Sequence, residues 1–355
     1  MALAATLAVL VAVLVGCGSE QGSAPTDGIV VPDGFEVTEV VSGLDGPTQV
    51  QVLGDGRLLV AHLNGDEGTP VGQVLIVDPE TGDRDVIAED LVSPTGVAAI
   101  GDDLWVMEQR RLSRGSLTSG DLETVLDDLP FNGRSEGTLT PLDDGRLLYS
   151  TSGSISSGRA TEGSGTVWVI DPGAVDGGTP ADPQPVAVGF KNAYARVVGP
   201  DGTLWQTEVA EGTFDGQPAP DELVAVPATA LEADAGRPAD PADGGWPRCV
   251  GDRRPVAQFG GSDEACAGTL GASVVFEPGV TPTSVAISPW DDGALLVALW
   301  NDGRIVSVPG AASGSSAEPV TWMTGVDNPQ HVVADGDRLI VVDFSEGRIL
   351  AVGRD

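Results

Sequence analysis

The only two histidines of this 355-residue chain, His62 and His331, carry the side chain best suited to take up a proton near neutral pH. Each stands in an otherwise apolar run, as do the acids Glu108, Glu208 and Asp343. Polar groups at matching places in several apolar runs are what a solvent-reaching, ligand-binding funnel requires. One hypothesis is a shared catalytic or metal-binding role for the histidines. The alternative is a structural role, because no orienting carboxylate is assigned to either.

The runs that hold these residues are copies of one unit, best preserved from Leu44 to Pro79. This unit contains three apolar, β-branched-rich runs, with Asp55-Gly56 as a hairpin signal between the first two, and a fourth run follows at 84–91. Four short antiparallel strands with a recurring period predict one blade of a propeller. The first strands of six such copies begin at residues 46, 93, 135, 193, 281 and 328. The sequence therefore predicts an all-β fold, a six-bladed β-propeller of four-stranded antiparallel blades.

The sixth copy runs to Asp355 without a fourth strand. The segment GFEVTEVVSGL (34–44) precedes the first copy and has the pattern of a fourth strand. We expect it to pair with the last blade and close the ring, because closure removes the exposed edge of an open repeat array. The propeller is therefore predicted to span 34–355.

Two rings of residues are predicted to line the mouth of the axial channel, since the loops that lead into first strands and those that leave second strands open on one face. The first ring is the residue before the aligned Val or Leu of each first strand: Gln49, Gly96, Thr138, Arg196, Ser284 and His331. The second ring is the last residue of each second strand: His62, Glu108, Thr151, Glu208, Leu299 and Asp343. In this register the two histidines lie at the same face of neighbouring blades.

The charge of the chain excludes some partners. With 53 acidic and 18 basic residues the formal net charge is −35, which would repel phosphate backbones and anionic lipid headgroups. We therefore expect no nucleic-acid partner and no electrostatic membrane binding. A solvated acidic surface is the simple interpretation of the charge.

The first 16 residues form an apolar run of signal-peptide length. Leu14-Val15-Gly16-Cys17 resembles the lipobox of bacterial lipoproteins, which implies cleavage and a lipid anchor on Cys17, with residues 17–33 as a flexible tether. An ordinary cleaved signal with an incidental cysteine is the alternative. We expect an extracytoplasmic protein that is anchored to the outer face of the bacterial membrane and contacts that membrane only through Cys17.

Export would place the remaining two cysteines, Cys249 and Cys266, in an oxidising compartment. Both lie in an irregular insertion at 237–279, with no histidine and no third thiol nearby. We therefore expect a disulfide within the insertion rather than a metal site.

Four landmarks in the chain resemble those of one family. They are FNGRSEGTLTPLDDGRLLYSTSG (131–153), FKNAYARVVGPDGTLWQTEVAEG (190–212), Asp221-Glu222-Leu223 and Gly245-Trp246-Pro247. In this order they are similar to the blocks of the soluble quinoprotein glucose/sorbosone dehydrogenases. The resemblance covers about 34–355 and implies a six-bladed propeller that binds pyrroloquinoline quinone (PQQ) and calcium on the funnel face.

The resemblance also implies site residues. Arg134 stands where the family has its catalytic histidine; arginine stays protonated, so another group would have to replace that base. The candidates are Glu136, Glu108, Glu208 and His331. A local ion pair between Arg134 and Glu136 is the alternative. Lys191 and Asn192 match the family's cofactor-binding Arg-Asn pair, and Asn301 stands in the place of a cofactor-binding lysine. The remaining expected ligands are Glu208 for the cofactor and the acids Asp221 and Glu222 for calcium.

Three functions follow as hypotheses. The first is a quinoprotein-type sugar or alcohol dehydrogenase that oxidises a carbohydrate hydroxyl by hydride transfer to PQQ. The second is a propeller that has lost this chemistry and binds a carbohydrate or an envelope protein. The third is a metal-dependent lactonase with channel ligands such as Glu108, Glu208, Asp343 and Asn192.

Overall fold

The computed structural model describes residues 26, 28–133, 136–174, 182–232, 240–291, 293–311 and 318–355. The signal segment 1–16, Cys17 and Arg134 lie outside these ranges, so the predictions made for them remain predictions. No helix within the described ranges is long and apolar enough to cross a membrane.

The leading strand is β1 (Phe35–Val41). Blade one, from the axis outward, contains β2 (Pro47–Val52), β3 (Leu58–His62), β4 (Pro70–Val77) and β5 (Arg84–Val92). Blade two contains β6 (Gly96–Ile100), β7 (Asp103–Met107), β8 (Leu112–Ser116) and β9 (Leu122–Leu126). Blade three contains β10 (Thr140–Pro141), β11 (Leu147–Thr151), β14 (Thr166–Ile170) and β15 (Gln184–Val188), with the hairpin β12 (Ile155–Ser156) and β13 (Arg159–Ala160) between its second and third strands.

Blade four contains β16 (Ala193–Val198), β17 (Leu204–Glu208), the hairpin β18 (Thr213–Phe214) and β19 (Gln217–Pro218), and β20 (Glu222–Val226). The insertion then supplies β21 (Ala242–Asp243), β22 (Cys249–Val250), β23 (Arg254–Pro255), α1 (Asp263–Cys266) and β24 (Ala272–Val275). Blade five contains β25 (Pro282–Ile287), β26 (Leu295–Leu299), β27 (Arg304–Val308) and β28 (Val320–Thr324). Blade six contains β29 (Pro329–Asp335), β30 (Arg338–Asp343) and β31 (Arg348–Arg354). Short 3-10 turns cover Pro172–Ala174, Ala228–Ala230 and Ala257–Phe259.

The prediction of six blades in a closed ring is confirmed. Each first strand contacts the first strands of the two neighbouring blades, so these six strands surround the axis. β1 pairs antiparallel with β31, from Phe35 opposite Arg354 to Val41 opposite Ile349, and supplies the outer strand of blade six. The ring is therefore sealed by strands from both ends of the sequence, as predicted.

Each blade is buried between two others, which is why its central strands are apolar on both faces. In β17, Leu204 packs into a cluster shared with blade three, whereas its neighbour Trp205 packs into a cluster shared with blade five. Successive side chains of a strand point to opposite faces, so one short strand contributes to two hydrophobic layers.

Two segments that the sequence presents as irregular are in part ordered. The insertion supplies β24, the outer strand of blade four, and β21, which pairs parallel with β15 of blade three. The disulfide between Cys249 and Cys266 is present, with a Cα–Cα distance of 5.8 Å. At the other end, Val30 lies in the predicted tether but pairs with Thr324 of blade five. Its neighbours Ile29 and Val31 pack against the core cluster between blades five and six, so these residues are ordered on the propeller.

Candidate functional site

An open pocket of ≈ 160 Å³ lies at the mouth of the axial channel, and residues from five blades line it. Its wall combines hydroxyl and amide side chains with three aromatic rings and two glutamates. The members are Thr48, Leu63, Glu67, Thr95, Asn192, Tyr194, Val209, Glu211, Thr281, Thr283, Trp300, Gln330 and Phe344. We call this the axial pocket.

The predicted rings miss this pocket by one residue. Thr48, Thr95, Thr283 and Gln330 line it, each one position before a predicted ring member. On the second strands, Leu63, Val209, Trp300 and Phe344 line it, each one position after the predicted member. A β-bulge falls between Pro47 and Gln49, between Pro282 and Ser284 and between Pro329 and His331. A bulge places two residues opposite one and so re-aims the side chains, which the alternating pattern of the sequence cannot reveal.

The predicted ring members are instead buried between the first strands. The Gln49 carboxamide donates to the carbonyl of Leu139 and accepts from the amides of Val97 and Leu139, at distances of 2.8 to 3.0 Å. Ser284 Oγ accepts from the amide of Val332 at 3.0 Å. Such bonds join blades across the axis and satisfy backbone groups that the inner strand edges leave unpaired. These residues hold the channel together and do not line it.

The histidines lie at the same face of neighbouring blades, as predicted, but both are buried. His62 is 5% exposed, and its Nε2 lies 3.1 Å from Oε1 of Gln73. Burial lowers the pKa of His331 to about 3, so this imidazole is neutral at physiological pH. Neither ring lines the axial pocket. The structure therefore supports the structural interpretation of both residues.

Glu136 is the predicted site residue with the most unusual surroundings. It is 1% exposed; Ser152 Oγ donates to its Oε2 at 3.0 Å, and its Oε1 has no hydrogen-bond partner among the described residues. Burial raises the pKa of Glu136 well above its usual range, because the charged form is poorly solvated there. It lies beside Asn192 and Tyr194, which also line the axial pocket. Glu136 therefore holds a proton more readily than an exposed glutamate does, beside the axial pocket but outside its described lining.

The side chains of Lys191 and Asn192 point to different parts of the molecule. Asn192 lines the axial pocket, where its Oδ1 accepts from Asn132 and its Nδ2 donates to the carbonyl of Val209, both at 2.9 Å. The ammonium of Lys191 instead donates to the carbonyl of Gly153 at 3.1 Å and lies 5.9 Å from the ring centre of Trp246. Of the predicted pair, only the amide reaches the pocket.

The acidic side chains predicted to bind a cofactor or metal accept hydrogen bonds from backbone amides or form ion pairs with arginines. Glu208 accepts from the amides of Lys191 and Asn192, Glu108 pairs with Arg111 at 2.7 Å, and Asp343 pairs with Arg348 at 3.0 Å. No group of three or more His, Cys, Asp or Glu side chains able to hold a metal ion occurs among the described residues. The carboxylates proposed for a lactonase are thus engaged in fixing loops and are not gathered around one point.

The two residues assigned to calcium also bind backbone amides. Asp221 Oδ1 accepts from Ala210 at 3.0 Å and its Oδ2 from Thr281 at 2.8 Å, while Glu222 accepts from Gly251. Being adjacent in the chain, the two side chains emerge on opposite faces of the blade. Their contacts give the calcium assignment no support.

Burial and charge repulsion raise the pKa values of two glutamates in blade four. Glu208 and Glu222 are directly opposite in β17 and β20. Burial, with the neighbouring Glu222 as the next cause, raises the pKa of Glu208 to about 8. Burial and the nearby Asp221 raise the pKa of Glu222 to about 7. Each acid is therefore more protonated than an exposed glutamate would be.

The described lining of the axial pocket does not fit an anionic quinone. No lysine or arginine stands among these residues, so none of them offers a cation to an anionic cofactor. Asn301, the fourth predicted cofactor ligand, is exposed and uses its Nδ2 on the carbonyl of Gly279 and Oγ1 of Thr281, both at 2.8 Å. Only Asn192 of the four predicted cofactor residues lines the pocket.

The three aromatic residues of the pocket are among those that the sequence prediction missed. The phenol of Tyr194 accepts from Gln330 Nε2 at 2.6 Å, which joins blades four and six across the pocket. Trp300 packs edge-to-face on Phe344 at 6.1 Å, and its buried indole N–H has no partner in the described part of the chain. Aromatic residues immediately beside the ends of apolar runs were the available signal, since such positions open onto the funnel.

No protein-family model and no curated protein sequence matches this chain. Solved structures do resemble it. A Trichoderma reesei carbohydrate-active enzyme of family AA12, in a calcium structure, has a TM-score of 0.76 at 18% identity and covers 94% of this chain and 100% of its own. The PQQ domain of pyranose dehydrogenase from Coprinopsis cinerea has 0.72 at 16% identity, covering 93% and 98%. PQQ-bound aldose sugar dehydrogenase from Streptomyces coelicolor has 0.66 at 19% identity, covering 92% and 100%. At these identities the likeness is one of fold.

Proposed function

We propose that this propeller binds a neutral carbohydrate in its axial pocket. The observation that carries the proposal is the chemistry of the pocket wall. Trp300, Phe344 and Tyr194 offer aromatic surface, while threonines, amides and Glu67 offer hydrogen-bonding groups. Sugars present both apolar C–H faces and hydroxyl groups, so they match a wall of this composition. The sugar-oxidising enzymes with the same fold support the choice of ligand class.

The test is to measure by calorimetry how tightly neutral mono- and oligosaccharides bind the purified protein. Trp300→Ala removes the ring and the unpaired indole N–H, and we expect it to weaken binding about tenfold. Trp322→Ala is the matched control, because Trp322 stacks on Trp290 and does not line the pocket. Equal affinities of the Trp300 variant and the unaltered protein would refute the site.

Oxidation of the bound sugar is the second candidate, a PQQ-dependent dehydrogenase with calcium. The structural neighbours favour it, since they include a PQQ domain and a PQQ-bound sugar dehydrogenase. The described lining of the axial pocket offers such a cofactor no cation, so this candidate stands second. The test is addition of PQQ and calcium, with a bound-quinone spectrum and sugar-dependent dye reduction as readouts. Absence of both would leave a binding protein.

We also propose, from the sequence, that the protein is exported and lipid-anchored through Cys17. Labelling with a radioactive fatty acid, lost in Cys17→Ser, would support the anchor. Unlabelled protein in the culture medium would favour the alternative of an ordinary cleaved signal.

A further inference from the structure

A second, larger cavity of ≈ 590 Å³ opens beside the axial pocket. Its walls are the hairpin β12–β13, the following loop to Thr166 and the insertion segment from Asp243 to Arg248, with Phe259. Thr166 is opposite Thr151 at the end of β11, so this cavity lies on the funnel face of blade three. Its volume is within the range of about 300–1,000 Å³ that is usual for small-molecule sites. We call it the outer cavity.

Two consecutive residues connect the surroundings of the two sites. Asn192 lines the axial pocket, whereas the ammonium of the preceding Lys191 lies 5.9 Å from the ring centre of Trp246, which lines the outer cavity. The segment that leads into β16 therefore contacts both sites.

The described lining of the outer cavity carries two arginines and one carboxylate. Arg248 pairs with that carboxylate, Asp243, at 2.8 Å, while Arg159 has no hydrogen-bond or ion-pair partner among the described residues. Glu162 lies in the same loop but is not one of the lining residues. The lining therefore has one net positive charge in a molecule of formal charge −35. A concave site with a local positive charge favours an anionic group.

Aromatic surface completes the site. Phe259 is half-buried against Phe214, with ring centres 5.9 Å apart, and presents its remaining surface to the cavity. Trp246, which is 5% exposed, closes the inner wall, and its indole N–H has no hydrogen-bond partner among the described residues. The Phe259 ring can receive the apolar face of a sugar while a guanidinium binds its anionic group bidentately.

We propose that the outer cavity binds the acidic unit of a carbohydrate, with the carboxylate on Arg159 and the sugar ring against Phe259. The ligand class, carbohydrate, rests on the proposed function; the preference for an anion rests on the charge of the outer cavity. The full ligand would then be an oligosaccharide that carries a uronic acid next to the unit held in the axial pocket.

The test compares trigalacturonic acid with its methyl ester, which has the same rings without the charges, by calorimetry at low salt. We expect tighter binding of the acid, and a loss of about three- to tenfold in Arg159→Gln with little change for the ester. Arg57→Gln is the matched control, since Arg57 is an exposed arginine in the hairpin at the opposite end of blade one. Phe259→Ala should weaken both ligands.

The outcomes separate this inference from the proposed function. If trigalacturonic acid binds the Trp300→Ala variant normally but the Arg159→Gln variant weakly, the result supports binding in the outer cavity, even if neutral sugars fail to bind. No binding of the acid, equal affinity for acid and ester, or indifference to Arg159→Gln would each overturn the inference, whatever the axial pocket binds.

Discussion

Replacing Asp221 by alanine tests whether this residue is a structural clamp or a calcium ligand. Its carboxylate accepts from the amides of Ala210 and Thr281 and so ties the end of blade four to the start of blade five. Asp221 is 1% exposed, so water cannot easily replace these bonds. A buried polar group left unpaired costs about 1–3 kcal/mol, and two such groups give a loss of about 2–6 kcal/mol in the free energy of unfolding.

The assay is urea unfolding of the unaltered protein, Asp221→Ala and Asp221→Asn, each with calcium chloride and with EDTA. Asp221→Asn keeps one acceptor, so we expect about half the loss. Glu277→Ala is the control, because Glu277 is an exposed acid in the loop between β24 and Thr281. Since Thr281 lines the axial pocket, the alanine variant should also bind sugar more weakly.

Two results would refute the clamp. The first is an unfolding free energy of Asp221→Ala within about 0.5 kcal/mol of the unaltered protein. The second is a large stabilisation by calcium that disappears in Asp221→Asn, which would restore the metal assignment.

Three further predictions concern the fold around the site. Because the pKa of Glu208 is raised to about 8 and that of Glu222 to about 7, the folded protein holds protons that the unfolded chain releases near pH 4.5. The free energy of unfolding should therefore fall as the pH rises from about 4.5 to 8. Urea titrations of Glu208→Gln should show a smaller fall over this range. Replacing Cys249 and Cys266 by serine opens a loop with a sequence separation of 17 and should cost about 3 kcal/mol, seen as a lower Tm; an unchanged Tm would contradict this. Removing residues 28–41 exposes the edge of β31 and should abolish cooperative unfolding of the whole propeller, so a retained sharp transition by circular dichroism would show that closure is dispensable.

The sequence by itself determined the architecture. Six recurring sets of short apolar runs with hairpin signals require stacked four-stranded blades, because each blade can bury its two faces only against its neighbours. The missing fourth strand of the last copy and the matching segment 34–44 determined the closure at β1. The disulfide also followed, since only two cysteines remained in the insertion.

Only the tertiary structure decided which residues reach the ligand. Bulges in three first strands move the lining positions from Gln49, Ser284 and His331 to the preceding residues, and no local pattern marks them. The direction of Lys191, toward Trp246 of the insertion, depends on contacts between segments distant in the chain. Strand period and turn chemistry are local properties and can be read along the chain, whereas the aim of a side chain at a strand end is set by packing between blades.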